Sequence, residues 1–336
     1  VPPALSIIIT NHNYAEYVDQ AILSALGQRD VAVEVVVVDD GSTDNSADVI
    51  ARFSGQVTSI FSANAGQGAA FNRGFAASTG EVVIFLDADD LLFDDIGRRV
   101  VDAFADPTIA RVQFPLDIVD QRGEPTGHTV PEAPKVPFTG DARPFLLTCP
   151  DDIVWQPTSG NAFRRSVLSA VLPMPAEPYR ICADYYLSSL VPLHGNVTTL
   201  PSSGGSYRVH GANAHYTRHE EPDRLRTNIR RTYTTHRCLI DECGRLGLVG
   251  LPADPAAVRS VSFAANRLLS YRIDRHRHPI AGDSRRALLG LGVSSSVIRT
   301  DVSAARRAAF IGWFVAMAVV PKPLVSVVAR PFARLT

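Results

Sequence analysis

Four short apolar, β-branched runs mark the N-terminal third of the chain, at 5–10, 33–38, 57–61 and 81–86. Their hydrophobicity is continuous rather than alternating, as expected of strands buried on both faces of a sheet. Between them, Tyr14, Val18, Ile22 and Leu26 recur four apart and predict a helix over 14–26. Shorter helices are predicted over 46–53 and 68–77, the second with Phe71 and Phe75 on one face. This alternation predicts a doubly wound, mostly parallel α/β sheet of Rossmann-like type. Beyond Asp90 the pattern reads as a helix at 94–104, a strand at 112–119 and a Pro/Gly-rich loop at 123–137. Helices at 166–172 and 184–193 and strands at 197–200 and 206–209 follow. From residue 221 the character changes to arginine-rich amphipathic helices at 224–246, 255–273, 285–291 and 304–320. The predicted organisation is an α/β domain over 1–220 and a helical region over 221–336.

Ligands of such sheets bind beyond the carboxyl ends of the strands. That rule selects Thr10-Asn11, Asp39-Asp40, Asn64-Ala65-Gly66 and Asp87-Ala88-Asp89. Ser42 or Thr43 can cap a helix and Asp44 can complement its dipole, but neither role explains two carboxylates directly after four valines. Asp40 is therefore expected to meet a ligand. Asp87 and Asp89 alternate along an extended segment, so both can face one cation. Hard cations such as Mg²⁺ and Mn²⁺ take oxygen ligands, commonly one or two carboxylates completed by substrate phosphates. Asn64 to Gly68 is glycine-rich and opens a helix, so its amides could face an anion. It lacks both the GxGxxG fingerprint and a P-loop ending, which argues against a dinucleotide dehydrogenase.

Composition narrows the classes further. The 336 residues carry 33 Lys+Arg against 34 Asp+Glu, a net charge of −1 that leaves no basic footprint for nucleic acid. Hydrophobic residues at 46% with 20% charged exclude a disordered chain. The four cysteines show no metal-finger or CxxC spacing and suit a reducing, cytoplasmic setting. Only Lys135 and Lys322 are lysines, so nearly every cation is a forked arginine. Val1-Pro2-Pro3 leads straight into the first strand, so no secretory signal is expected, and no apolar run reaches the roughly 20 residues of a spanning helix.

Taken in order, the motifs resemble a known family. They are SIIITNHNY from Ser6, VDDGSTD from Val38, Asn64-Ala65-Gly66 with Ala70, Asn72 and Gly74, then Gly80 and FLDADD from Phe85. SGNAFRR from Ser159 and YRVHGAN from Tyr207 to Asn213 extend the series. Over roughly 5–215 this set is similar to the inverting glycosyltransferases of family 2, whose fold is GT-A. The resemblance implies a UDP- or dTDP-sugar donor, Mn²⁺ or Mg²⁺ on a DXD motif, and a carbohydrate or lipid-linked saccharide acceptor in cell-surface polysaccharide or glycolipid synthesis. It places Thr10 and Asp40 at the base or ribose, Asp87 by ribose and phosphate, Gly66 and Asn72 in the donor site, and Asp89 on the metal. It assigns His210 to metal or diphosphate and Asp184 to the catalytic base, although Ala183 stands where many relatives carry glutamate.

Other expectations stay beside these. A catalytically silent nucleotide-sugar-binding protein or a sugar-phosphate nucleotidyltransferase also fits acidic groups near a sheet, the latter less well because 10–14 holds no glycine- and basic-rich loop. His215 and His219 have only loosely metal-like spacing, and 275–278 reads as a solvated basic face. The segment 304–320 carries Phe310, Trp313, Phe314 and Met317 between Arg306, Arg307 and Lys322, followed by Arg330, Phe332 and Arg334. It can rest at the inner face of a membrane, close a core or join two copies of the chain.

Overall fold

The computed structural model describes residues 3–132, 138–211 and 222–329. Asn213, His215, His219, Arg330, Phe332 and Arg334 lie outside them. The elements run β1 (Leu5–Asn11), α1 (Val18–Leu26), β2 (Val33–Asp40), α2 (Ser46–Ala51), β3 (Thr58–Ser62), α3 (Gln67–Ala77), β4 (Val82–Asp87), β5 (Leu91–Leu92) and α4 (Ile96–Ala103). Then come β6 (Ile109–Gln113), β7 (Leu116–Val119), β8 (Pro125–Val130), α5 (Arg143–Leu146), β9 (Asn161–Arg164), α6 (Arg165–Val171), α7 (Asp184–Leu190), β10 (Asn196–Thr199) and β11 (Gly205–Arg208). The chain ends in α8 (Pro222–Leu246), α9 (Val261–Ile273), α10 (Arg285–Ile298), α11 (Ala304–Val319) and α12 (Val325–Ala329).

The chain divides into two compact units. The first holds residues up to Ala142 and resumes at Val154; the second joins Arg143–Ile153 to the helices from α8 onward. In the first, a seven-stranded sheet has the order β10-β6-β9-β4-β1-β2-β3. The neighbours β4-β1-β2-β3 are parallel, and β9 lies antiparallel between β4 and β6. Ile7, Ile9, Val35, Val37, Ile84 and Leu86 pack with Val18, Ile22 and Ile96 on one side of it. On the other, Phe71 of α3 stacks on Phe85 of β4 with ring centres 4.0 Å apart. Covering both faces is what makes these strands uniformly apolar. Gly74 lets α3 approach closely, since a Cβ there would lie 2.2 Å from Ile8 Cγ2.

Three departures from the expected elements have local causes. The strand expected over 112–119 is two strands in different sheets, because Phe114 turns to bond Gly160 and Pro115 has no N–H for a ladder. Within the expected loop at 123–137, β8 pairs with β7 at the edge of a second sheet, ordered β5-β11-β7-β8. Of its residues, PTGHTV, the first five are exposed and only Val130 is a large apolar one, too little signal to read as a strand. The helix expected to end at 291 continues to Ile298 through Ser294, Ser295 and Ser296.

The second unit has its own core of Val261, Ala264, Leu268, Leu288, Phe310, Trp313, Phe314 and Met317. The aromatic residues of α11 therefore close a core, and the Trp313 indole N–H donates to the Val328 carbonyl at 2.8 Å. Buried ion pairs explain part of the arginine usage. Arg267 pairs with Asp283, Arg299 with Asp152 at 3.1 Å, and Arg272 donates to the last carbonyls of α11. His278 departs from the solvated face expected at 275–278: its side chain is covered, with Nε2 2.8 Å from Asp283. Among the described residues no helix is long and apolar enough to cross a membrane.

Candidate active site

Register sets the site. In the central sheet Thr10 lies opposite both Val38 and Asp87, and Asn11 lies opposite Asp39. The carboxyl ends of β1, β2 and β4 thus finish level, and their polar ends rim a cleft of about 380 Å³. Thr10, Asp40, Gly66, Asp87, Asp89 and Asp184 all line it. Asn72 does not share that lining; its side-chain amide bonds the Met174 backbone in both directions, at 2.8 and 3.0 Å. His210 sits behind Asp89, with Nε2 3.0 Å from the carboxylate, packed against Tyr14 and Tyr17.

The adjacent aspartates of β2 have separate tasks, as period-two alternation requires. Asp39 accepts from Asn11 at 2.7 Å and from the Ser42 backbone and hydroxyl, tying down the loop after β2. Asp40 accepts from the amides of Ala65 (2.9 Å) and Gly66 (2.6 Å) and from Arg73 at 3.1 Å. The anion met by these glycine-loop amides is therefore Asp40 itself. Gly66 has φ of +91°, and a Cβ there would lie 2.4 Å from Arg180 Cα, so only glycine fits.

The carboxylates after β4 crowd one another. Asp87 accepts from Gln67 at 2.9 Å, yet burial first, then the charges of Asp89 and Asp184, push its pKa up to about 8. Asp90 is also raised well above the usual carboxylate range, by burial and by Asp89 and Asp87. Ser159 Oγ donates to Asp90 at 2.6 Å and accepts from the Asp87 amide, so the 159–165 segment braces this turn. Burial and the same aspartates raise the phenols of Tyr14 and Tyr207, which keeps both neutral donors. Arg180 also lines the cleft and bonds Asn64. Arg111, fully buried over the Trp155 ring at 4.5 Å, is lowered to about 9 by burial, with the Asp184 charge pulling the other way.

The donor chemistry suits a divalent cation. Asp89 offers carboxylate oxygen and His210 an imidazole nitrogen, beside the buried carboxylates of Asp87 and Asp90. Among the described residues no group of three or more His, Cys, Asp or Glu could hold an ion alone. A site completed by substrate phosphates needs no more than one or two protein ligands.

Sequence reasoning passed over Tyr14 and Tyr207 as site residues, and over Gln67 and Arg111. The first two lie inside quoted motifs and were legible there; Arg111 carries no local signal, because β6 places it.

A parallel-rich sheet ending in an acidic cleft, with an antiparallel strand set into it, is a GT-A-like architecture. Residues 6–171 match Glycosyl transferase family 2. An uncharacterized glycosyltransferase of Nostoc sp. is 42% identical over 215 residues, 63% of this chain and 66% of that protein. About a third of the Nostoc protein thus lies outside the match. Among solved structures, S. aureus TarS 1-349 in complex with UDP superposes with a TM-score of 0.58 at 16% identity, covering 99% of this chain and 92% of its own. Mannosyltransferase PcManGT from Pyrobaculum calidifontis, in complex with GDP-Man and Mn²⁺, gives 0.50 at 16% identity, covering 100% and 86%. At these identities the likeness is one of fold.

Proposed function

We propose that this protein is a metal-dependent, inverting glycosyltransferase that moves a sugar from a UDP- or dTDP-sugar to an acceptor hydroxyl. The observation that carries the reading is the convergence of Asp87, Asp89 and Asp184 on one cleft that also holds Thr10 and Asp40. A cleft so acidic suits a polyanionic nucleotide only if a cation comes with it. Asp89, with His210 behind it, would hold that cation, which when bound supplies charge to the departing diphosphate. Asp184 takes the proton of the acceptor hydroxyl as that oxygen attacks the anomeric carbon. The new carbon–oxygen bond forms opposite the breaking bond to phosphate, so the configuration inverts. Tyr14 and Tyr207, held neutral, can donate hydrogen bonds to the same cleft.

A thermal-shift panel of UDP, dTDP, GDP and their sugars, with and without Mn²⁺, tests this. UDP with Mn²⁺ at about 100 times Kd should raise Tm by about 3–6 °C. The gain should grow as pH rises through about 8. An acid raised from its ordinary value of 3.8 holds its proton longer folded than unfolded, so metal-free stability declines between these pH values. A cation binds only the deprotonated form and relieves that loss. No response to any nucleotide with Mn²⁺ would sink the reading.

The acceptor side of the proposal draws on the second unit. Val297 of α10 and Val315 and Val319 of α11 are 59%, 46% and 72% exposed. No charged residue lies between Arg307 and Lys322, and Arg285, Arg286 and Arg306 add to the basic flank. A membrane surface carrying anionic lipid fits this face, and a lipid-linked saccharide would meet the enzyme there. Affinity for vesicles containing phosphatidylglycerol, read by co-sedimentation, should fall at least about tenfold in Val315→Asp/Val319→Asp, since burying even one aliphatic side chain contributes roughly 1.5–3 kcal/mol. Equal binding by the variant and the parent removes this contact.

A further inference from the structure

We infer that Gln67 is a positioning residue that ties the donor-side carboxylate Asp87 to the start of the helix bearing Asp184. The inference rests on the roles proposed for those two aspartates and adds the link between them. Gln67 opens α3 and lines the cleft. Its side-chain Nε2 donates to Asp87 Oδ1 at 2.9 Å, and its Oε1 accepts from the Ala183 backbone N–H at 2.9 Å. Its own backbone N–H donates to the Arg180 carbonyl at 2.9 Å.

Ala183 is the N-cap of α7, and its methyl group cannot cap anything. In a capping box the N-cap N–H is satisfied by a Glu or Gln three residues into the same helix. That position here is Tyr186, whose hydroxyl instead bonds the Val171 carbonyl. Gln67 therefore supplies the missing acceptor from another helix. Glutamine does both while neutral, whereas an ionised glutamate has no hydrogen to give Asp87 and a methionine neither donates nor accepts strongly.

The surrounding backbone leaves the arrangement little freedom. A Cβ at Gly66 would strike Arg180 Cα, and one at Gly68 would lie 3.0 Å from the Tyr179 carbonyl oxygen. The first turn of α3 is thus seated directly on residues 179–183. Cys182 takes a left-handed φ of 60° just before the cap, a conformation that needs holding. Whatever moves Asp87, including a donor arriving in the cleft, moves the amide that fixes where Asp184 begins.

The test compares Gln67→Met and Gln67→Glu with the parent in the full chain. Gln67→Met should speed hydrogen exchange over 182–187 at least about tenfold, in the absence of any ligand. Its kcat for transfer from a UDP-sugar with Mn²⁺ should fall about 10–100-fold, the usual cost of losing an orienting partner, with donor KM within about threefold. Gln67→Glu keeps an acceptor for Ala183 but loses the donor to Asp87, so exchange should stay near the parent's while kcat falls. Parental exchange in Gln67→Met, or parental kcat in both variants, would overturn the inference. A parent that transfers no sugar from any donor would instead overturn the enzymatic reading, and the positioning role with it; the exchange data keep the two failures apart.

Discussion

Asp184→Asn is expected to lose about 10²–10⁴-fold in transfer rate while binding UDP and Mn²⁺ as the parent does. Asparagine keeps the shape of the side chain but cannot accept the hydroxyl proton, and general-base catalysis accounts for rate factors of that size. Asp184 lies in the first turn of α7 and lines the cleft. Transfer at saturating donor, with calorimetric titration of UDP and Mn²⁺, separates rate from affinity. A variant as fast as the parent would end the base assignment.

Asp89→Ala is expected to abolish the dependence of donor binding on the cation, with UDP affinity in Mn²⁺ weakened by about 10–100-fold or more. The same variant should behave differently with pH. The Asp89 charge is one of the two neighbouring charges that raise Asp87, so removing it brings the Asp87 pKa down from about 8. The loss of metal-free stability should then be complete at lower pH than in the parent. Titrating UDP with Mn²⁺, and melting both proteins from pH 5 to 9, reads both effects. Unchanged cation-dependent binding would show that the ion, if bound, is held elsewhere.

The grouping of several candidate residues in one cleft was legible in the sequence. Thr10, Asp40, Asp87 and Asp89 follow apolar strands directly, so strand ends and the parallel-sheet rule were enough to group them. Two limits were physical. Asn72 shares a motif with the donor residues, but a helix turns about 100° per residue, and that rotation carries its amide to the Met174 backbone. Gly66 and its neighbour amides read as an anion cradle, yet the anion they hold is a side chain of β2. A motif states which donors exist and leaves open which acceptor reaches them first.

Irregular elements were harder to read. Pro115 divides an apolar run that looks like one strand, and β8 forms at a sheet edge from polar residues whose only support is pairing. The aromatic residues of α11 have the composition of an interfacial helix, and they pack instead against α9 and α10. Amphipathic spacing shows that a face will be buried without naming what buries it.

By itself, the sequence determined what local chemistry can: the strand–helix alternation of the first unit, the helical character of the second, and a row of carboxylates at strand ends. These follow from apolar periodicity and chain direction, which act between neighbours along the chain. Only the tertiary structure decided that Asp184 joins Asp87 across nearly a hundred residues, that Arg111 is buried near Asp184, and that Gln67 links the end of β4 to the start of α7. Those relations depend on sheet register and on backbone approaches of a few ångströms, and residues distant in sequence acquire them only when the whole core closes.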